Sequence, residues 1–315
     1  MYLEASLRYR DHSLNLGPQA TDPYPTRLAA SPTNTMLPRL EPPAEEATDD
    51  GPLNAQQVAN FARDGFLYEP DFLNDADVAS LQRELRGLLE SSEFHQADYA
   101  VTEPDSDAIR SLFAVHFLSD VFGRLAQSPA LLARVEQLLG GQTYVHQSRI
   151  NYKPGFAGKG FNWHSDFETW HAEDGMPGMR AVSASIILTE NHTFNGPLML
   201  IPGSHQQFLP CVGPTPEDNY KQSLKSQRIG TPPEAVLTEL VRRRGIQAPT
   251  GRAGGLILFD CNTLHGSNAN MSPDPRSNIF FVYNRRDNAC VQPFAASRPR
   301  PEFLAHRADG SWSGH

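Results

Sequence analysis

Apolar positions recur along the chain with two different periods, and the change between them divides it. From Asn54 to Gly140 the spacing is helical. Asn54, with Gln57 three residues on, has the form of a capping box and opens a helix that ends near Asp64-Gly65. Phe66-Leu67-Tyr68 predicts a short strand. Asn74 caps a second helix, whose Val78, Leu81, Leu85, Leu88 and Leu89 form a one-sided stripe. Residues 110–125 predict more helix. Ser128 opens another, with Pro129 at its first position and Gly140 just past its end. Stripes of this kind face a core.

From Thr143 the period becomes two. Val145, Gln147, Arg149, Asn151 and Lys153 fall on one face of a strand, and His146, Ser148, Ile150 and Tyr152 on the other. The first face is too polar for a dry core. It suits a sheet lining a wet cavity, and alternation alone leaves a solvent-facing edge equally open. Ala181 to Thr189 predicts a second strand, with Ser183 and Ser185 on one face. Asn195-Gly196 signals a turn, followed by a strand Leu198–Ile201 and the turn Pro202-Gly203-Ser204-His205. Residues 206–230 form a polar insertion of the length of a lid or binding loop. Thr231 is the expected cap of a helix with Pro232 first and Gly245 past its end. Gly255–Phe259 is a strand leading to His265. Arg276 opens the last strand, where Arg276, Asn278, Phe280 and Val282 share a face. The tail after Pro293 shows no element.

Helices followed by short strands predict an α+β domain whose strands form a sandwich or partly closed barrel. It is expected to span residues 53–315. Residues 1–52 are rich in Pro, Ser, Thr and acidic groups. They read as an N-terminal extension, disordered or lying on the surface as an arm, with Asp22-Pro23-Tyr24-Pro25-Thr26-Arg27 a compact exception able to dock.

Composition narrows the class. A hydrophobic fraction of 39% in 315 residues is enough for one core. No run approaches the roughly 18 apolar residues of a membrane helix, and no segment reads as a secretory signal. Three cysteines, Cys211, Cys261 and Cys290, have no metal-like spacing and suit reduced thiols in the cytoplasm. A net charge of -9 argues against a nucleic-acid surface.

The candidate chemistry lies in Phe161-Asn162-Trp163-His164-Ser165-Asp166-Phe167-Glu168-Thr169-Trp170-His171-Ala172-Glu173-Asp174-Gly175-Met176-Pro177. On an extended strand His164 and Asp166, two apart, point the same way. A third ligand must come from elsewhere, and His265 is the candidate. Two histidines and one carboxylate leave open positions on a metal, as in non-heme Fe(II) oxygenases. His116, His146, His171, His192 and His205 read as surface or satisfied core residues; the odd offset of His171 turns it away.

With the segments Gly196-Pro197-Leu198-Met199-Leu200-Ile201-Pro202-Gly203-Ser204-His205 and Arg276-Ser277-Asn278 added, the chain resembles the Fe(II)- and 2-oxoglutarate-dependent dioxygenases of the phytanoyl-CoA hydroxylase group, from about Tyr24 onward. The resemblance implies a double-stranded β-helix (jelly roll, cupin-like) core with surrounding helices. It implies that His164, Asp166 and His265 bind catalytic iron, with 2-oxoglutarate and O2 as cosubstrates. Arg276, eleven residues after His265, suits the far carboxylate of 2-oxoglutarate. Ser267 shares the parity of His265, and Lys153 and Phe161 line the same pocket by resemblance. The implied substrate is ectoine, an amidinium ring bearing a carboxylate, and the implied assembly a homodimer. Trp170 and Phe280 are the expected aromatic walls and Gln147 the amide partner. A carboxylate at Asp166, where a halogenase carries a small residue, implies hydroxylation. Other readings stay open here: the same chemistry on proline or a similar amino-acid derivative, a non-catalytic jelly-roll binding module, or a zinc hydrolase.

Overall fold

The computed structural model describes residues 22–28, 35–45 and 51–308. In chain order the elements are β1 (Leu37–Pro38), α1 (Ala55–Asp64), β2 (Phe66–Glu69), α2 (Asp75–Glu90), α3 (Ser92–His95), β3 (Ala100–Thr102), β4 (Ile109–Phe113), α4 (Val115–Leu118), α5 (Asp120–Ala126) and α6 (Pro129–Leu139). Then follow β5 (Thr143–Lys153), β6 (Phe161–His164), α7 (Asp166–Thr169), β7 (Ala181–Ile187), β8 (Leu198–Leu200), β9 (Gln207–Phe208), α8 (Asn219–Ser223), α9 (Glu234–Arg244), β10 (Leu256–Asp260), β11 (His265–Ser267) and β12 (Arg276–Arg285).

Among the described residues, seven strands make one antiparallel sheet in the order β2-β10-β7-β12-β5-β4-β3, and three make a second in the order β6-β11-β8. Strand parity decides what each face of the large sheet meets. Val182, Ala184, Ile186, Leu256, Leu258, Ile279 and Phe281 turn to the helices, where they meet Phe61, Leu81, Leu85, Phe122, Leu131 and Val135. Ile257, Phe259 and Phe280 turn to the other side and pack with Leu198 and Leu200 of the small sheet. The two sheets thus close on each other with helices outside, which is the α+β jelly-roll arrangement expected of the chain.

Local chemistry explains most element ends. Asn54 Oδ1 accepts from the Gln57 amide and Gln57 Oε1 from the Asn54 amide, closing the capping box of α1. Gly65 ends α1 in the left-handed region at φ 83°. Asn74 caps α2 through the Asp77 amide.

Three expectations change. Residues 110–125 hold a strand before two short helices, because β4 is buried throughout and pairs with β5. Thr231 does not cap α9; its hydroxyl donates to the Arg228 carbonyl, and the helix begins at Glu234 after Pro233. Val145 leaves the polar face of β5 for the helix-facing core. The register explains this: Val282 pairs with Gln147 but Tyr283 with Val145, so His146 is an extra residue that reverses parity below it.

The extension has described parts that pack on the domain. β1 pairs with β9. Tyr24 is fully buried among Phe167, Trp170 and Phe208. The rest of residues 1–52, for which disorder was expected, lies outside the described residues apart from 51 and 52.

Candidate metal centre and pocket

The three candidate ligands meet through strand register. His265 of β11 pairs directly with His164 of β6, so the two imidazoles stand side by side, ring centres 4.2 Å apart. Asp166 arrives differently from the expectation of one continuous strand. β6 stops at His164, Ser165 keeps an extended backbone, and Asp166 is the first residue of α7. The extended step preserves the alternation, so the carboxylate still faces the imidazoles. His164 Nε2 lies 3.6 Å from Asp166 Oδ1 and His265 Nε2 3.7 Å from Oδ2. One ligand atom from each residue falls within 4.8 Å of the other two.

The outer hydrogen bonds fix which nitrogen faces inward. His164 Nδ1 donates to the Asn162 carbonyl at 2.7 Å, and His265 Nδ1 to the Thr263 carbonyl at 2.9 Å. Both Nε2 lone pairs are left for the centre, the arrangement of metal-ligating histidine. His265 Nε2 and Asp166 Oδ2 are buried without any hydrogen-bond partner among the described residues. Buried polar atoms are rarely orphaned, and a cation between them would satisfy both. Burial and the adjacent His164 push the His265 imidazole down to about 4. Burial works to raise the Asp166 carboxyl, but His265, Arg149 and His164 outweigh it and hold it well below the carboxylate range. Two imidazoles with their Nε2 atoms turned inward and a carboxylate held as an anion are a donor set that fits a divalent metal.

The centre opens on a cavity of about 390 Å³ between the sheets. At one end Lys153 of β5 pairs across the sheet with Arg276 of β12. The two side chains are 0% and 1% exposed. Like charges directly opposite destabilise a sheet unless an anion joins them. Burial, Arg276 and Arg110 push the Lys153 ammonium down to about 6. It donates to Ser267 Oγ at 2.8 Å and to the Asn268 carbonyl. Burial also pushes the Arg276 guanidinium down to about 10, still cationic at neutral pH, with Nε unpartnered among the described residues. Phe161 pairs with Ser267 and lies under the Arg110 guanidinium, 3.7 Å from the ring centre. The turn at Gly196 needs its glycine: φ is +74°, and a Cβ would stand 2.3 Å from the Asn268 carbonyl and 2.9 Å from Lys153 Nζ.

At the other end the cavity is lined by Gln147, Trp170 and Phe280, together with Arg149, Arg300 and residues 223–227 of the insertion. Gln147 is held from two sides. Its Nε2 donates to the Leu304 carbonyl at 2.6 Å, and its Oε1 accepts from Arg149. One N–H and one lone pair stay available to a ligand. Trp170 packs edge-on against His146. All ten residues singled out from the sequence thus border or directly support one cavity. His171 is turned away, its Nε2 on Asp22 and its ring stacked on Phe294.

Sequence reasoning missed Arg110, Arg149 and Arg300. Arg149 lay on the polar face of β5, a signal that was there to be used. Arg300 sits in a tail without periodicity and is carried in by its paired bonds to Asp174 at 2.8 and 2.6 Å. Nothing local announces it.

Comparison with known proteins follows the same lines. A family profile described as phytanoyl-CoA dioxygenase (PhyH) matches residues 61–278. The ectoine dioxygenase of Halomonas elongata is 64% identical over 292 residues, covering 93% of this chain and 88% of that protein. The ectoine dioxygenase of Sphingopyxis alaskensis is 52% identical, covering 91% and 94%. The crystal structure of EctD from S. alaskensis with 2-oxoglutarate and 5-hydroxyectoine superposes with a TM-score of 0.83 at 48% identity, over 92% of this chain and 96% of that one. The non-heme alpha ketoglutarate dependent carbocyclase SnoK, at 19% identity and a TM-score of 0.59 over 75% and 85% of the two chains, shares the fold.

Proposed function

The chain belongs to the phytanoyl-CoA dioxygenase family, and from its 64% identity to an ectoine dioxygenase within it we infer that it hydroxylates ectoine to 5-hydroxyectoine, consuming 2-oxoglutarate and O2 and releasing succinate and CO2. The observation that carries the site assignment is the cross-strand pairing of His164 with His265, with Asp166 facing both and two of the inward atoms orphaned.

In this reading His164, Asp166 and His265 hold Fe(II), and they also form the catalytic centre. Bound iron supplies O2 activation coupled to decarboxylation of 2-oxoglutarate. The protein's own part is to bind, orient and keep water out. Arg276 receives the far carboxylate of 2-oxoglutarate with a planar pair of donors, and Lys153, Ser267 and Phe161 complete that end. Gln147 meets the amidinium edge of ectoine between Trp170 and Phe280, whose ring faces suit a delocalised cation. Arg149 and Arg300 give the same end a positive potential for the ectoine carboxylate. The domain is taken as residues 53–315, working as a cytoplasmic homodimer. Three free cysteines suit a reducing compartment.

The test is anaerobic addition of Fe(II), 2-oxoglutarate and then ectoine, watching the visible charge-transfer band, followed by O2. A band shift on ectoine addition, CO2 release and a product heavier by one oxygen are expected. Proline used in place of ectoine with equal efficiency would overturn the substrate assignment. No CO2 under any substrate would overturn the chemistry.

A further inference from the structure

The back of the metal centre is held by the N-terminal extension. Arg27 is buried and binds two acids of the segment that carries Asp166. Its Nε and Nη2 grip the two oxygens of Glu168 at 2.9 and 2.8 Å, and its Nη1 reaches Glu173 at 2.7 Å. Thr26 adds a hydroxyl to Glu168 at 2.8 Å. Glu168 lies two residues after Asp166, in the same single turn of helix. Arg27 itself sits at φ 60°, a conformation kept only where contacts over-determine it.

The same extension does this a second time. Arg39 pairs with Asp260 at 2.8 Å, with both side chains buried. Asp260 Oδ1 also accepts from the Asn262 amide, shaping the turn before His265. That turn presents the Thr263 carbonyl to His265 Nδ1. It also aims Asn262 Oδ1 at the hydroxyl of Ser165, between the other two ligands, at 2.9 Å. Each arginine therefore holds an acid one step removed from a ligand, and neither lines the cavity.

We propose that residues 22–28 and 35–45 act as a strap that positions the metal ligands from behind, Arg27 through Glu168 for Asp166, and Arg39 through Asp260 for His265 and for Ser165 between the other two ligands. This rests on the metal assignment above. Arg27 and Arg39 are positioning residues: they touch neither metal nor substrate. Partners that bond a ligand directly change metal affinity by about 10- to 100-fold when removed, and these arginines act one residue further out, which points to the low end of that range.

The experiment is anaerobic Fe(II) titration of the full chain, with melting temperature recorded for each variant. Arg27→Gln and Arg39→Gln should each weaken Fe(II) binding about tenfold. Tyr24→Phe is the control, because among the described residues the Tyr24 hydroxyl bonds only within the strap, to Glu41 and the Leu40 amide. It should lower the melting temperature while leaving Fe(II) affinity at the wild-type value. Arg27→Lys keeps the charge and loses the fork; it should fold and still bind Fe(II) a few-fold more weakly. If Arg27→Gln does not fold, the Lys variant decides. Wild-type affinity in the folded arginine variants, or a loss in Tyr24→Phe equal to theirs, overturns the strap. Failure of the wild-type chain itself to bind Fe(II) would instead overturn the metal assignment.

Discussion

The two ends of the cavity are built by different means. The end with Lys153, Arg276, Ser267 and Phe161 comes entirely from residues inside or opening paired strands. Its side chains are locked by backbone register, and its lysine and arginine are buried to within 1% of complete exclusion. The end with Gln147, Trp170 and Phe280 borrows from a helical turn, from insertion residues 223–227 and from the C-terminal tail through Arg300 and Leu304. The first end is rigid, as the proposed seat of 2-oxoglutarate requires. The second sets Gln147 and Phe280 of the same two strands beside segments that sheet register does not control. Rigidity suits the cosubstrate, and adjustable segments suit the part of the site that selects the substrate.

The largest effect should come from the centre both ends share. Asp166→Ala or His265→Ala is expected to abolish Fe(II) binding and CO2 release together, measured by anaerobic titration and by trapping of labelled CO2; normal turnover in either variant sinks the assignment. Next comes the first end. Arg276→Gln removes a charge-assisted donor pair, so the KM for 2-oxoglutarate should rise about 10- to 100-fold while that for ectoine stays nearly constant. Equal changes in both constants would erase the division into two ends. Gln147→Ala should do the reverse, raising the KM for ectoine about tenfold and leaving 2-oxoglutarate binding alone.

The smallest expected signal is a proton. Burial and the neighbouring cations hold the Lys153 ammonium down at about 6. An anion beside it favours the ammonium, so binding 2-oxoglutarate should draw in about one proton at pH 8. The sign follows: affinity falls as pH rises above the free value, because the lysine must be protonated to pair. Calorimetry in two buffers of different ionisation enthalpy measures the uptake, and Lys153→Met should remove it. Uptake unchanged in that variant would place the proton elsewhere.

Parity along a strand is a local property, and it makes Gln147, Lys153, Arg276 and Phe280 legible from the order of residues alone. Capping residues are equally local at Asn54 and Asn74. Where a single residue breaks parity, as His146 does, the reading fails for Val145, because a bulge is set by the partner strand's register and not by its own sequence. The strand at 109–113 is hidden for a related reason: burial on both faces leaves no alternation to see.

The order of residues alone shows which side chains can act as ligands and anchors and, bulges apart, on which face of its own strand each one lies. That information is short-range, written in periods of two and 3.6. That His265 stands opposite His164, that Arg300 and Leu304 reach the pocket, and that Arg27 and Arg39 lie behind the His164, Asp166 and His265 cluster follows from three-dimensional packing alone. Those pairings join residues scores to hundreds of positions apart. They are selected by the whole fold's burial of apolar faces and pairing of buried charge, to which no local pattern has access.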